Sequence, residues 1–238
     1  ATRSIKFARM CRQAKLQTER RGPTYKFGFL IPNDRAHALR IDKENKDNLW
    51  ALSIGTEMDQ IEEYSTFKNM GRGVKPPRDH QRIRVHLVFD VKHDLRRKSR
   101  LVAGGHMTAP PKDSVYSGVV TLRSLRLCMF LGELNGLSVD AADADVGNAY
   151  LMAYTKEKLY IIAGPEFGDL QGCLLVIVKA LYGLRTSGAR WHEFFADTLF
   201  DMGFYPCKAD PDVWMKDCGT HYEFVCVYVD DLACVMLN

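Results

Sequence analysis

The sequence predicts an α+β fold built on antiparallel strands, and three observations carry that expectation. Short runs of β-branched and aromatic residues, such as Leu174–Val178 and Phe224–Val229, read as buried strands. Longer segments at Asn48–Ile61, Thr121–Gly136 and Ala189–Met202 repeat their apolar residues at helical spacing. Between them stand breakers such as Gly71–Pro77 and Gly164–Gly168.

The 238 residues, 46% of them hydrophobic and 26% charged, suffice for a real core in one large or two small domains. No uninterrupted apolar run is long enough to span a bilayer, and no apolar signal segment follows the first residues, so no membrane partner is expected. An intracellular setting is expected. The seven cysteines show no two-residue spacing of a zinc site and mostly sit in apolar runs, as reduced core cysteines do. The chain opens on Ala1 rather than methionine, which reads as a piece of something longer.

The net charge of +4 hides an asymmetry. Arg72–Gly105 carries ten Lys or Arg against three Asp, whereas 131–238 carries seven basic against sixteen acidic residues. The first region suits phosphates and the second suits cations.

In chain order, residues 1–47 are polar apart from Tyr25–Pro32 and read as a weakly structured lead-in or linker. Trp50, Ile54, Met58 and Ile61 then mark an amphipathic helix. Arg82–Lys92 alternates like a half-exposed strand, His93–Ser99 reads as a basic turn, and Arg100–Gly104 as the returning strand. Such an antiparallel ribbon, with Arg82, Arg84, Lys92, Arg96, Arg97, Lys98 and Arg100 on or near it, can lay cations along a nucleic-acid backbone or a triphosphate. His80, His86, His93 and His106 fit no metal template and read as surface residues.

Thr121–Gly136 is a structural helix with apolar residues at 122, 125, 129, 130 and 134 and a glycine stop. Leu137–Leu151 is a strand running into a turn and a short helix. Asp140 and Asp143 suit an edge or a turn, while Asp145 stands at the strand end before a small-residue turn, where a carboxylate can project into a cleft. Lys158–Ala163 and Leu174–Val178 are strands separated by a loop. Trp191, Phe194, Phe195 and Leu199 share one face of the 189–202 helix and read as core. Asp212–Met215 and Tyr222–Val229 form a hairpin around Asp217–Thr220.

The last stretch, Phe224–Met236, is two apolar runs joined at Asp230 and Asp231. Burying both carboxylates would cost several kcal/mol without a neutralising partner, and no lysine or arginine follows Glu223. A divalent metal is the natural partner; the alternative is a solvated Asp-Asp turn.

"DVGNAYL" at 145–151 together with "YVDD" at 228–231 resembles the reverse transcriptases of retroviruses and long-terminal-repeat retrotransposons. "KSRLVAGG" at 98–105, "ALYGLRTSGARW" at 180–191 and "DPDVW" at 210–214 narrow the resemblance to the copia-type retrotransposon polyprotein, from about Trp50 onward. It implies a right-hand polymerase fold: a fingers-like region with the basic ribbon over 48–130, and over 131–238 an antiparallel palm sheet backed by helices. Because the chain ends at Asn238, the palm is expected to be incomplete at its C-terminus, without primer grip, thumb or ribonuclease H. The implied activity is RNA-directed DNA polymerisation, with deoxynucleotides added to a primer 3′-hydroxyl by two-metal phosphoryl transfer. Asp145 and Asp230 would hold two Mg²⁺ ions, with Mn²⁺ as a substitute and Asp231 as the neighbouring carboxylate.

The same resemblance gives Tyr150 as an aromatic gate against a 2′-hydroxyl. Lys98 and Arg100 would grip the triphosphate, Gly183 and Leu184 would lie near template and incoming base, and Tyr228 near the primer end. Implied partners are an RNA template, a DNA or RNA primer, deoxynucleoside triphosphates, and the integrase and ribonuclease H of the polyprotein, with DNA integration as the wider process and a cytoplasmic particle, the nucleus or both as the implied setting. Gly188 and Ala189 depart from the Ala-Pro pair usual before this helix. The alternative reading is a decayed, catalytically inactive retroelement fragment that keeps a nucleic-acid-binding surface.

Overall fold

A computed structural model of the chain describes residues 22–108, 110–111, 113–142 and 148–237. They divide into two compact units, one running to Glu57 and taking in Leu87–Arg100, the other comprising Met58–His86 and everything from Leu101 onward. Among the described residues no helix is long and apolar enough to cross a membrane.

In the first unit, strands β1 (Tyr25–Lys26) and β2 (Phe29–Leu30) form a small antiparallel hairpin, followed by helix α1 (Arg35–Asn45). Residues 22–47 are therefore not the weakly structured lead-in expected from composition. The Asp34 carboxylate accepts from the His37 N–H at the start of α1, and Lys46 closes it in the left-handed region. Buried Asp42 then caps the next helix, α2 (Leu49–Glu63), accepting from the N–H groups of Trp50 and Ala51 at 3.1 and 2.8 Å. The apolar stripe of α1 is too thin to signal a helix; its own Asp34 cap and the bonds from Asp42 to the start of α2, eight and nine residues on, hold it in place.

After β3 (Phe67–Arg72) and β4 (Gln81–Arg82), which belong to the second unit, β5 (Val85–Val91) and β6 (Arg97–Ala103) form a two-stranded ribbon. Two expectations are corrected here. Arg82 is not on the ribbon, because β4 runs parallel to β8 (Leu159–Ile162) in another sheet. The turn is confined to 92–96, where the Lys92 N–H donates to Arg96 O, so the returning strand starts at Arg97. Its charges occupy the more open positions beside buried Ser99 and Leu101, and that alternation mimics a basic turn in sequence.

The second unit continues with α3 (Leu122–Leu134), β7 (Ser138–Ala142), α4 (Ala149–Met152), β9 (Cys173–Ile177), α5 (Ser187–Asp201), β10 (Tyr205–Pro206), β11 (Val213–Asp217), β12 (Tyr222–Tyr228) and β13 (Asp231–Met236). A five-stranded antiparallel sheet has the order β10-β11-β12-β13-β7, and a four-stranded sheet the order β3-β9-β8-β4.

Both faces of the five-stranded sheet are covered. Phe224, Cys226 and Val235 pack toward Cys128 of α3, whereas Val225, Val227 and Trp214 pack with Leu199 and Phe195 of α5. That is why β12 is apolar at consecutive positions. The neighbouring Cys128 thiol and burial push the Cys226 thiol upward, leaving an inert core group.

Helix α3 straddles residue 130, where a fingers-to-palm boundary was drawn from sequence, and packs on the sheet. Of its five marked apolar residues, only Leu125 reaches that core; Leu122, Met129, Phe130 and Leu134 are exposed. The sheet instead takes the face of Cys128 and Gly132, because a Cβ on Gly132 would stand 2.5 Å from Val235 Cγ1. Close approach selects small residues over the most apolar stripe.

Candidate active site

Tyr228 pairs with Asp231 at the end of β12 and β13, so the loop between these strands is only Val229 and Asp230. A two-residue hairpin with positive φ at its first position ordinarily has glycine there. Here that residue is Val229, with φ 59°. A β-branched side chain in this region is strained by roughly 1–3 kcal/mol, so surrounding contacts have to impose it. The Trp191 indole N–H donates to Val229 O at 2.7 Å, and the buried Trp191 ring stacks on Phe195 at 5.3 Å. Helix α5 therefore clasps the turn that carries the carboxylates.

Asp230 is half-buried, Asp231 is exposed, and the Tyr228 ring is 54% exposed. Solvent reaches the hairpin tip, so the burial cost expected from sequence does not arise. What remains is two adjacent carboxylates with no hydrogen-bond or ion-pair partner among the described residues. An all-oxygen, anionic, water-accessible donor set suits a hard divalent cation such as Mg²⁺.

Strand β7 ends with Ala142 opposite Leu232, next to Asp231, so it delivers the chain to the carboxylate end of the sheet. Asp143 and Asp145 lie outside the described residues. Asp140 is exposed on β7, which is an edge strand as expected.

Tyr150 sits on α4 between buried Ala149 and Leu151, and its half-buried ring lies 4.9 Å from that of Tyr182. A Cβ on Gly188 would stand 3.4 Å from Ser117 Cβ and 4.0 Å from the Tyr150 hydroxyl. Ser117 also lines an open cleft of about 930 Å³ with Pro110, Tyr116 and Arg185. Ser117 thus neighbours Gly188 on one side and the cleft on the other, while Tyr150 itself is not among the residues that line the cleft.

Gly183 and Leu184 act through the backbone. Leu184 is buried, and a Cβ on Gly183, whose φ is 87°, would stand 2.2 Å from Ala103 O. Reciprocally, a Cβ on Gly105 would stand 2.3 Å from Gly183 O. The Ala103 N–H donates to Tyr182 O at 2.7 Å, while Arg185 donates to the carbonyls of Gly105 and His106. The glycines of "KSRLVAGG" and "ALYGLR" are thus two halves of one backbone-to-backbone junction, a role that motif reading alone did not supply.

"DPDVW" is likewise a clip. Asp210 accepts from the Thr121 N–H at the start of α3, and buried Asp212 meets His192 Nε2 at 2.7 Å. A Cβ on Gly118 would stand 2.1 Å from Asp212 Oδ2.

The triphosphate candidates belong to the first unit. Lys98 is half-exposed and Arg100 exposed on β6. Arg97 has another role, its guanidinium lying 3.8 Å from the Phe29 ring centroid and 5.4 Å from that of Trp50. Arg96 pairs with Asp94.

The sequence model of the family described as "Reverse transcriptase (RNA-dependent DNA polymerase)" matches residues 68–238. The chain is 28% identical over 244 aligned residues to the "Retrovirus-related Pol polyprotein from transposon RE1" of Arabidopsis thaliana, covering 92% of this chain and 16% of that protein. It is 26% identical to the corresponding polyprotein from transposon RE2 of the same plant, with the same coverages. Identity to the "Transposon Ty1-DR4 Gag-Pol polyprotein" of Saccharomyces cerevisiae is 30%, over 63% of this chain and 9% of that protein. No solved structure matches.

Proposed function

The chain belongs to the reverse transcriptase (RNA-dependent DNA polymerase) family, in its copia-type retrotransposon branch, and we propose that it carries the polymerase centre of such a polyprotein. The observation that carries this reading is the Asp230–Asp231 pair at a strained two-residue turn, clasped by Trp191 and without a protein cation among the described residues. In this reading the reaction is attack of a primer 3′-hydroxyl on a deoxynucleoside triphosphate, directed by an RNA template. The five-stranded sheet with its two covering helices would be the palm, and the β5–β6 ribbon part of the fingers.

Asp230 and Asp231, with Asp145, would hold Mg²⁺, which when bound supplies activation of the primer hydroxyl and stabilisation of the leaving pyrophosphate. The chain's own contribution is positioning. The Trp191 clasp fixes the turn that carries the carboxylates, and exposed Tyr228 would meet the primer end. Tyr150, backed by Tyr182, would exclude a 2′-hydroxyl. Lys98 and Arg100 would neutralise phosphate, and the Gly105–Gly183 junction would present backbone to template and incoming base.

The chain spans 16% of the length of the Arabidopsis relatives, so the further polyprotein domains are proposed partners. The test is primer extension on a homopolymeric RNA template with Mg²⁺, using this chain, a longer segment of its polyprotein, and Asp230→Asn in the longer segment. DNA synthesis that the asparagine variant loses supports the polymerase reading. A folded longer segment that binds nucleic acid but makes no DNA establishes the decayed, inactive fragment instead.

A further inference from the structure

The opposite end of β12 holds a second constellation, which the polymerase reading does not use. Asp217 pairs with Tyr222 at the end of β11 and β12, and the Cys218 N–H donates to His221 O at 3.0 Å across the turn. Cys218 and His221 thus face each other, and Glu223, two residues along the strand, lies on the same side as His221. A Cys218 sulfur, a His221 ring nitrogen and a Glu223 carboxylate oxygen all lie within 4.8 Å of one another.

Two further observations point to a cation. His221 Nε2 is shielded from solvent and has no hydrogen-bond partner, although Glu223 Oε1 stands 4.0 Å away. The other ring nitrogen, Nδ1, is 3.0 Å from Thr220 Oγ1. With a proton on Nδ1 directed at that hydroxyl, Nε2 is a lone pair facing the Glu223 carboxylate, and the one donor of the trio is the Cys218 thiol, which hydrogen-bonds Glu223 and whose proton a bound cation would replace. The lysine paired with Glu223 in the strand register, Lys216, carries its ammonium beside the Phe204 ring instead.

We propose that Cys218, His221 and Glu223 form a binding site for a borderline-soft divalent ion, Zn²⁺ in the first instance, with solvent as the fourth ligand. One sulfur, one nitrogen and one oxygen match the donors zinc takes, and neutral Nε2 with its Nδ1 partner matches the way ligating histidines are oriented. In a tetrahedral site the donor atoms stand roughly 3.3–3.6 Å apart, so side-chain adjustment at the hairpin tip closes the set. Glu223 Oε1 also accepts from the Leu237 N–H at 3.4 Å, so a bound ion would tie the β11–β12 turn to the end of β13.

The test is titration of the reduced chain with Co²⁺ as a spectroscopic probe, followed by Zn²⁺ competition. The expected result is one equivalent of Co²⁺ with a thiolate-to-metal charge-transfer absorption, displaced by Zn²⁺. An all-oxygen aspartate site cannot produce that band, so the outcome is independent of the polymerase centre. Cys218→Ser should abolish the band, and His221→Ala and Glu223→Gln should each weaken binding at least about tenfold. Cys207→Ser should leave it intact, and Zn²⁺ should raise the melting temperature of the unsubstituted and Cys207→Ser chains but not that of Cys218→Ser. Absence of the band, its persistence in Cys218→Ser, or unchanged Co²⁺ affinity in His221→Ala and Glu223→Gln overturns the proposal.

Discussion

The two ends of β12 carry turns built on opposite principles. At the Cys218–His221 turn a glycine supplies the left-handed conformation, Gly219 with φ 83°, and its N–H is satisfied locally by Asp217 Oδ1 at 2.8 Å. At the other end Val229 takes the left-handed conformation with φ 59°, and the contact that answers it comes from a different element, through Trp191. A relaxed turn needs only its own residues, whereas a strained one needs the rest of the fold. Strain held from outside is how a protein fixes a reactive group in one place, and here it falls beside Asp230 and Asp231.

Breaking this comparison most severely means removing the charge at the strained turn. In a catalytically competent segment, Asp230→Asn should lower primer extension at least about 100-fold, while Asp217→Asn at the relaxed turn should leave it unchanged. Equal losses from both would mean that the strained turn has no special standing. Next comes the clasp. Trp191→Phe keeps the ring but removes its N–H, leaving Val229 O unanswered; denaturant unfolding should show a loss of about 1–3 kcal/mol, together with reduced extension. Unchanged stability would show that the turn holds itself.

The comparison sharpens by exchanging the turn residues. Gly219→Val should cost about 1–2 kcal/mol, since no outside contact imposes the left-handed state there. The reverse exchange, Val229→Gly, should raise stability by about 1 kcal/mol, because relieved strain exceeds the entropic cost of glycine, and yet slow extension by loosening the carboxylates. A destabilised Val229→Gly chain would disprove the strain.

The smallest effect is at Asp210, which joins the approach to β11 to the start of α3. Burial pushes its carboxyl upward, but hydrogen bonds from Ser124, Thr121 and Asp212 outweigh that and hold it below the usual carboxylate range. Its contribution to stability is then present above the unfolded value of about 3.9 and lost as pH falls through the lower folded value. The stability gap between the unsubstituted chain and Asp210→Asn should accordingly close in acid; a gap independent of pH would sink this assignment.

Much of this was legible in the sequence. Strand runs at 174–178 and 224–236, helices at 48–61, 121–136 and 189–202, and the hairpin ending in Asp230 and Asp231 stand close to the observed elements, because apolar periodicity is strong there. Helix α1 is not legible because its apolar stripe is thin and polar residues dominate it, and β3 because its glycine and polar residues lack alternation. The Cys218–His221 pair escaped because cysteines and histidines were each matched to templates of their own kind. A Cys-x2-His spacing followed by a glutamate two residues later was the available signal.

By itself the sequence determined the class of fold, the family and the carboxylate pair, since these depend on local patterns and on motifs whose residues are neighbours in the chain. Only the tertiary structure decided what the motifs do for one another. It made Gly105 and Gly183 two sides of one contact, diverted Arg97 to an aromatic ring, turned the small face of α3 to the sheet, and bound Trp191 to the turn that carries Asp230. The physical reason is that close approach and hydrogen bonding act between residues far apart in the chain, where periodicity and spacing carry no information about which surfaces meet.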